Sequence, residues 1–532
     1  VRRWIGVGLA ALAAAICTLA LPGAASPQVS TYVVDTTREG NDGECARDCT
    51  LREAIGLANS SAGTYVQVPP GVYRITSPLS LQDDFIYGAT LGGGNFSSGA
   101  RTTVIDAQGA GRVVDVTGTN NWLSGVTVTG GRADVGAGAF VPAGAGLFLY
   151  NVIVTDNVAT TGGGGVATAG NLAVFQSVVN GNRAGSGGGI LVEAGGLNQA
   201  YNSTFSGNTA TVAGGAISSS DETTLWNVTV AENSAPTGGG VHWAGVTAST
   251  TMWNTILARN TGGACGGAIS QRVSWQTNMA DDASCALAAG EGTVQDPRIG
   301  PLRNNKGPTD THALLAGSPA INAGGANLCG ANDQRGAAPV GQCDLGAFEF
   351  GGKVPEPVLP PPVPGETVNV SRRSGTVKVK IPGSDEFFTL QDGQQVPVGT
   401  TIDTTNGQIT LVAAGRKQKA WFYDGLFKFR QTRGSRPLTT LSLTAKLACP
   451  RGNSAYTAAK RKRRRLWGDG KGRFRTQGSF SSATVRGTKW LTEDRCDGTL
   501  TRVKKGTVTV RDFARKRTVI LRAGQRYLAK RK

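Results

Sequence analysis

Three groupings in this chain hold residue types that do chemistry. Asp83-Asp84 and Asp281-Asp282 are paired carboxylates, and His242-Trp243 sets an imidazole beside an indole. Lys460-Arg461-Lys462-Arg463-Arg464-Arg465 is an unbroken run of cations, followed by Trp467, Lys471, Arg473 and Arg475. Paired carboxylates cleave glycosidic bonds when one protonates the leaving oxygen and the other works from the opposite face of the sugar. Stacked carboxylates beside a cationic base bind calcium and abstract a proton. A cationic run does neither, but attracts polyanions. Which of these chemistries is open depends on the elements that carry the residues.

Those elements repeat. An apolar residue, two variable residues and an asparagine recur as Val154-Thr-Asp-Asn157, Val179-Asn-Gly-Asn182, Phe205-Ser-Gly-Asn208, Val230-Ala-Glu-Asn233 and Leu257-Ala-Arg-Asn260. The last four follow Gly163-Gly-Gly-Val166, Gly187-Gly-Gly-Ile190, Gly214-Gly-Ala-Ile217 and Gly238-Gly-Gly-Val241. A period of about 25 residues marks a solenoid. Each unit holds short alternating stretches such as Asn227-Val-Thr-Val230 and no run at helical spacing, so a unit is a coil of short strands. The spacing predicts an all-β chain built on a right-handed parallel β-helix. Asn157, Asn182, Asn208, Asn233 and Asn260 would stack about 4.8 Å apart as a ladder of bonded amides, with glycines at the φ > 0 turns. Less regular coils at Tyr65-Val-Gln-Val68, Val72-Tyr-Arg-Ile75, Val104-Ile-Asp106 and Val126-Thr-Val128 extend it from 64 to about 300, roughly nine coils and 45 Å.

Arg2-Arg3, the apolar run from Trp4 to Leu21 and Pro22-Gly-Ala-Ala-Ser26 read as a secretory signal over 1–25. The run is at the short limit for a membrane span, and no second long apolar segment follows, so the mature chain is expected secreted or at the cell surface without an integral membrane segment. Eight cysteines then remain: Cys45, Cys49, Cys265, Cys285, Cys329, Cys343, Cys449 and Cys496. An even count in an exported chain reads as disulfides. Sequence-local pairing, 45 with 49, 265 with 285, 329 with 343 and 449 with 496, keeps each bridge within one region, though other connectivities stay open. Zinc is the competing reading, weakened by the lack of Cys-x-x-Cys and by having only His242 and His312 as histidines.

The net charge of +18 is unevenly divided. From Glu366 onward 37 Lys and Arg face 11 Asp and Glu, a net of +26, whereas residues 26–365 carry −10. Val354-Pro-Glu-Pro-Val-Leu-Pro-Pro-Pro-Val-Pro364 between them is a semi-rigid spacer. The expected domains are an N-terminal cap over 26–63, the β-helix with its end region over 64–350, a linker over 351–365 and a basic β domain over 366–532.

Cys45-Ala-Arg-Asp-Cys49-Thr-Leu-Arg-Glu-Ala-Ile55 resembles the CSLREAI motif of bacterial exported proteins, with Thr50 in place of serine. Thr50 and Glu53 form a capping box, which predicts a short helix over 51–59 laid over the open first coil. Gly307-Pro-Thr-Asp-Thr-His-Ala-Leu-Leu-Ala-Gly-Ser-Pro-Ala-Ile-Asn322, Asp333-Gln-Arg-Gly336 and Cys343-Asp-Leu-Gly-Ala-Phe-Glu349 resemble the choice-of-anchor Q region that ends similar β-helices. The repeats resemble those of chlamydial polymorphic outer membrane proteins, Phe205 to Asn208 most closely, without the barrel of that family. Gly393 to Thr404, Ala483-Thr-Val-Arg-Gly-Thr-Lys-Trp490 and Asp497-Gly-Thr-Leu-Thr-Arg-Val-Lys-Lys-Gly-Thr-Val-Thr-Val510 are similar to FecR-like extracytoplasmic domains. Alternation in Thr376-Val-Lys-Val-Lys-Ile381 independently predicts antiparallel strands.

Parallel β-helices often cleave acidic polysaccharides, so a lyase or glycoside hydrolase is the alternative function. Polygalacturonase-like sites write Gly-His-Gly and Arg-Ile-Lys, whereas here His242 precedes Trp243 and Arg298-Ile299 precedes Gly300. Before each ladder asparagine stand Asp156, Gly181, Gly207, Glu232 and Arg259. Asp156 and Glu232 lie three coils apart, about 14 Å, too far to share an ion. His242-Trp243 reads as packing at a coil turn rather than a sugar platform. No catalytic residue, metal ligand or cofactor is therefore assigned. The sequence predicts a non-enzymatic surface or matrix protein whose Lys460, Arg461, Lys462, Arg463, Arg464, Arg465, Lys471, Arg473 and Arg475 bind an anionic polymer: wall polymer, lipopolysaccharide, acidic glycan or extracellular DNA.

Overall fold

The computed structural model describes residues 31–531 apart from 46–47, 62–63, 89–99, 246–247, 269–270, 356–358, 383–386, 391–392, 417, 448–463 and 486. The proposed signal, Cys449, Lys460, Arg461, Lys462 and Arg463 lie outside the described residues.

The first body is a parallel β-helix. One ten-stranded sheet runs from Thr31–Val33 to Gln271–Gln276, a second from Gly71–Arg74 to Gly292–Val294, and a third of eight strands from Leu79–Leu81 to Cys265–Gly267. Successive coils pair in register, so Phe205 lies between Val179 and Val230. Alternating inward residues such as Leu147, Leu149, Val179, Phe205 and Val230 are at most 1 % exposed and form one continuous core. A fourth, four-stranded sheet from Arg132–Val135 to Thr209–Ala213 adds a side to the middle coils.

The Gly-Gly phrases close one corner. Gly163, Gly187, Gly214 and Gly238 have φ between 57° and 67°. The glycine after the first of them has no room for a side chain, since a Cβ on Gly164 would lie 2.5 Å from the Arg183 and Gly188 carbonyl oxygens. At the next corner the residue before each ladder asparagine is left-handed: Asp156, Gly181, Gly207, Glu232 and Arg259, with φ from 55° to 68°. What the position keeps is its left-handed backbone, not a side-chain chemistry, since it is filled by glycine, Asp, Glu and Arg in turn.

The start is closed by helix Leu51–Asn59. Thr50 accepts from the Glu53 amide and Glu53 accepts from the Thr50 amide, while Leu51, Ala54, Ile55 and Ala58 are buried on the coil end. The far end does not add coils. A hairpin of Ile299–Arg303 and Thr311–Leu314 opens a lobe, extending to about residue 350, that folds back along the outside of the second sheet. There Ile299, Leu314, Ala320, Leu345 and Phe348 cover Ala231, Ile256, Ala258 and Met279 in a second core. Gly346 sits so close that a Cβ would meet Thr229 Oγ1 at 2.7 Å.

The second body, from Thr367 onward, is a single sheet of fifteen strands, antiparallel except where Thr439–Leu443 pairs with Phe474–Gln477. Its inward residues, including Phe422, Phe427, Phe429, Phe474 and Trp490, are fully buried in a core of their own.

Candidate functional site

The five ladder asparagines are buried and bonded to one another. Nδ2 of Asn157, Asn182, Asn208 and Asn233 each donates to Oδ1 of the next at 2.9–3.0 Å, and each backbone N–H donates to the same oxygen at 3.0–3.1 Å. Every amide also donates to a backbone carbonyl on the preceding coil, as Asn208 does to Val179 O. Their polar capacity is spent inside the wall, which leaves nothing for a ligand.

The acidic pairs are spent as well. Asp83 accepts from the Asn120 amide, and Asp84, 1 % exposed, accepts from the Gln82 amide and is pushed up to about 6 by burial. Asp281 accepts from the Arg259 amide, and Asp282 caps a short 3-10 turn through Ser284 while also holding the Ala264 amide. Trp243 lies on strand Val241–Trp243, not at a turn, and is buried with its indole N–H on Thr250 Oγ1. One nucleophile–base pair does exist: Ser206 Oγ lies 2.9 Å from His312 Nε2, and His312 Nδ1 lies 2.7 Å from the Gly300 carbonyl. Both side chains are at most 2 % exposed beneath the lobe, so no substrate reaches them.

The cysteines pair locally at Cys45–Cys49, Cys265–Cys285 and Cys329–Cys343, and Cys496 is also disulfide-bonded. Among the described residues no cluster of His, Cys, Asp and Glu has the arrangement to hold a metal ion. No described helix is long and apolar enough to cross a membrane.

What remains accessible is positive charge. In the second body Glu493, Asp494 and Asp512 are at most 3 % exposed, whereas none of its described Lys or Arg is buried. Asp494 receives the Ser479 amide, the Thr499 hydroxyl and the Arg464 guanidinium, while Asp512 receives the Tyr527 hydroxyl and the Arg515 amide, which hold its carboxyl below the usual range against the opposing effect of burial. Three of the eight described acids from Glu366 onward are thus buried while every described Lys and Arg there reaches the surface, so the exposed charge is more positive than the composition alone states.

Of the sequence-predicted cations that are described, Arg464 is paired with Asp494 and Arg465 with Asp424. Lys471 is exposed at a strand end, Arg475 stands on an outward position bonded to Thr484, and Arg473 opens a recess. That recess, about 420 Å³, is lined by Gly415, Arg416, Gln418, Ser435, Arg436, Pro437, Gly472 and Arg473. Three connections meet there, each with a glycine at positive φ beside or near its arginine: Gly415 at 104°, Gly434 at 99° and Gly472 at 131°. Two buried amides tie them together. Gln418 donates to Pro437 O and accepts from the Arg473 N–H, and Gln431 donates to Ala414 O and Thr439 Oγ1. Three arginines line one recess with no carboxylate among its lining residues, and the Arg473 guanidinium donates to the Arg436 carbonyl; the concentration of positive charge is the electrostatic form of an anion site. Arg416 and Arg436 escaped the sequence reading because neither lies in the cationic run; the signal available for them was the repeated Gly-Arg or Gly-Ser-Arg at a turn.

Residues 202–220 match the Chlamydia polymorphic membrane protein repeat. The matched segment runs from the left-handed Asn202, through Phe205 and ladder Asn208, to the Gly214 corner and strand Ile217–Ser219, which is most of one coil. No curated protein and no solved structure matches the chain.

Proposed function

We propose that this is a non-enzymatic bacterial surface or matrix protein, in which the β-helix is a rigid display module and the basic body binds anionic polymer of the envelope or its surroundings. The observation that carries this reading is the recess of Arg416, Arg436 and Arg473 on a domain with no buried Lys or Arg among its described residues. The surface assignment draws on the polymorphic membrane protein repeat at 202–220, whose family name places its members in membranes. The display role draws on the solenoid itself, whose acidic pairs, ladder amides and only Ser–His contact among the described residues are all structurally committed.

The test is retention. Full-length protein should bind heparin and polygalacturonate with an affinity that falls as salt rises, because binding releases counterions. The triple change Arg416→Ala, Arg436→Ala, Arg473→Ala should flatten that salt dependence, and deleting 366–532 should abolish envelope retention at low salt. Unchanged retention after the deletion defeats the anchoring role. Release of unsaturated or reducing ends from pectate or alginate by the intact chain defeats the non-enzymatic one.

A further inference from the structure

The basic body has a second accessible feature that differs in kind from the recess. On strand Lys419–Tyr423 the alternation puts Ala420 and Phe422 inward and leaves Trp421 and Tyr423 half-buried on the outer face. The neighbouring strand, Arg464–Lys471, does the same with Trp467, which lies directly opposite Tyr423. The two rings are parallel to within 7° with centroids 6.2 Å apart. Cations surround them: the Arg373 guanidinium lies 3.8 Å from the Trp421 ring centre, Lys504 Nζ 5.2 Å from Trp467 and Lys489 Nζ 5.9 Å from Tyr423. Arg502 stands exposed on the adjoining strand.

The platform is rigid and continuous with the recess. Gly468 lies directly on the Trp490 ring and Gly470 on Ala420, so strand Arg464–Lys471 is pressed onto the core with Trp467 held outward. In the same two strands Lys419 pairs with Lys471, and the residues just beyond them, Gln418, Gly472 and Arg473, line the recess. At about 3.4 Å per residue, Arg473 to Trp467 makes a track of roughly 20 Å: arginine recess, a pair of lysines, Asp469 held by Lys489 Nζ at 3.6 Å, then three aromatic rings edged with cations.

We infer that this track binds single-stranded DNA, with phosphates at the recess and lysines and bases against Trp421, Tyr423 and Trp467. The inference rests on the anionic-polymer reading above and narrows it. π-faces set among cations on adjacent strands suit a polymer that alternates charge with flat aromatic bases. An acidic glycan, whose sugar faces can also lie on aromatic rings, is the competing occupant, represented by heparin in the titration. A duplex hides its base faces and could use only the charges. DNA is favoured over RNA because a strand met outside the cell persists when it lacks the 2′-hydroxyl that cleaves its own backbone.

The experiment titrates the full chain with fluorescent oligo(dT), oligo(rU), duplex DNA of the same charge, and heparin, each over a salt series. Oligo(dT) should bind more tightly than duplex or heparin at equal salt. Trp421→Ala, Tyr423→Ala and Trp467→Ala should each weaken oligo(dT) by about 5- to 150-fold while leaving heparin unchanged. Trp467→Phe, which keeps a π-face and guards against misfolding, should recover most of the loss. Lys489→Gln with Lys504→Gln should lower the oligo(dT) salt slope by between one and two. Heparin bound as tightly as oligo(dT), with the ring variants silent, overturns this inference and leaves the anionic-polymer reading standing. Oligo(rU) bound more tightly than oligo(dT) overturns the choice of DNA. Failure of every polyanion to bind overturns both.

Discussion

Both bodies set aromatic rings on the outer face of a sheet, and they use them in opposite ways. In the β-helix the parallel, in-register strands place ring over ring. Tyr65, Phe85, Trp122 and Phe148 follow one another on successive coils, and the last two stack at 4.5 Å and 9°. One residue pair along, Phe175 stacks on Tyr201 at 5.0 Å and 7°. Where they stack, as from Phe85 through Trp122 to Phe148 and from Phe175 to Tyr201, each ring covers a face of the next. In the basic body, antiparallel pairing limits the repetition to one parallel pair, Tyr423 and Trp467: Trp421 faces Asp469 instead of another ring, and one of its faces meets Arg373. The same contrast governs charge. Repetition turns polar side chains into ladders that bind one another, whereas the irregular sheet pairs some of its cations with carboxylates, as Arg464 with Asp494 and Lys489 with Asp469, and buries none that is described.

If the two bodies have separate cores, they should melt separately. Phe205 and Phe422 are both fully buried, one in each core. Phe205→Ala should cost about 3–5 kcal/mol in one calorimetric transition and Phe422→Ala a similar amount in the other. A single transition shifted by both variants would merge the bodies and dissolve the contrast. Next in size is the ladder. Asn208→Ala removes the acceptor of the Asn182 backbone and side-chain N–H groups and the donor to Asn233 Oδ1, all buried. Unmet buried groups set the loss at about 2–3 kcal/mol, read as a drop in the denaturant midpoint of the β-helix alone.

The rings give the sharpest separation of roles. Trp122→Ala should lower β-helix stability by about 1–2 kcal/mol, the stacking between its two neighbours being lost, with no change in oligo(dT) binding. Trp467→Ala should do the reverse. Stability and affinity measured on both variants decide the point, and a Trp122 variant that loses affinity would move the binding face to the solenoid.

The period was legible because stacking in register forces equivalent positions to recur: a ladder amide or corner glycine can be replaced only by breaking contacts above and below. The capping box at Thr50 and Glu53 was legible because it closes within one turn, and the helix spans 51–59 as its sequence predicts. The folded-back lobe was not. It is held by left-handed corner residues, Gln176 donating to Asp333 O, Asn202 to Asn332 O and Asn254 to Leu328 O. Those partners lie far away in sequence, and nothing local marks an asparagine chosen for its backbone angle as also a docking point. The arginine recess was hidden for the same reason, since its three connections meet only after the sheet has formed. The cationic run, by contrast, drew attention through density alone, although Arg464 is already matched to the buried Asp494.

That lobe also carries the smallest predicted effect, a pH dependence opposite in sign to the one that the lowered carboxyl of Asp512 gives the basic body. Glu349, 6 % exposed, accepts the Asp344 amide on Oε1 and has no hydrogen-bond partner on Oε2. Burial, aided by the Asp344 and Asp333 carboxylates and opposed by Arg335, pushes it up to about 7. Asp344 is raised too, again chiefly by burial. An unfolded glutamate titrates near 4.3. Between that value and about 7 the folded lobe holds a proton that the unfolded chain has released, so the stability contributed by this group is complete at low pH and is lost as pH rises through the window. The slope cannot exceed about 1.4 kcal/mol per pH unit for one proton. Glu349→Gln keeps the shape without the charge, and should flatten the dependence of the β-helix melting temperature between pH 5 and 8 and raise it at the upper end. A variant that melts lower than wild type at pH 8 would mean that the carboxylate is needed ionised, and that the lobe is held to the second sheet by charge rather than by the Ile299, Leu345 and Phe348 core.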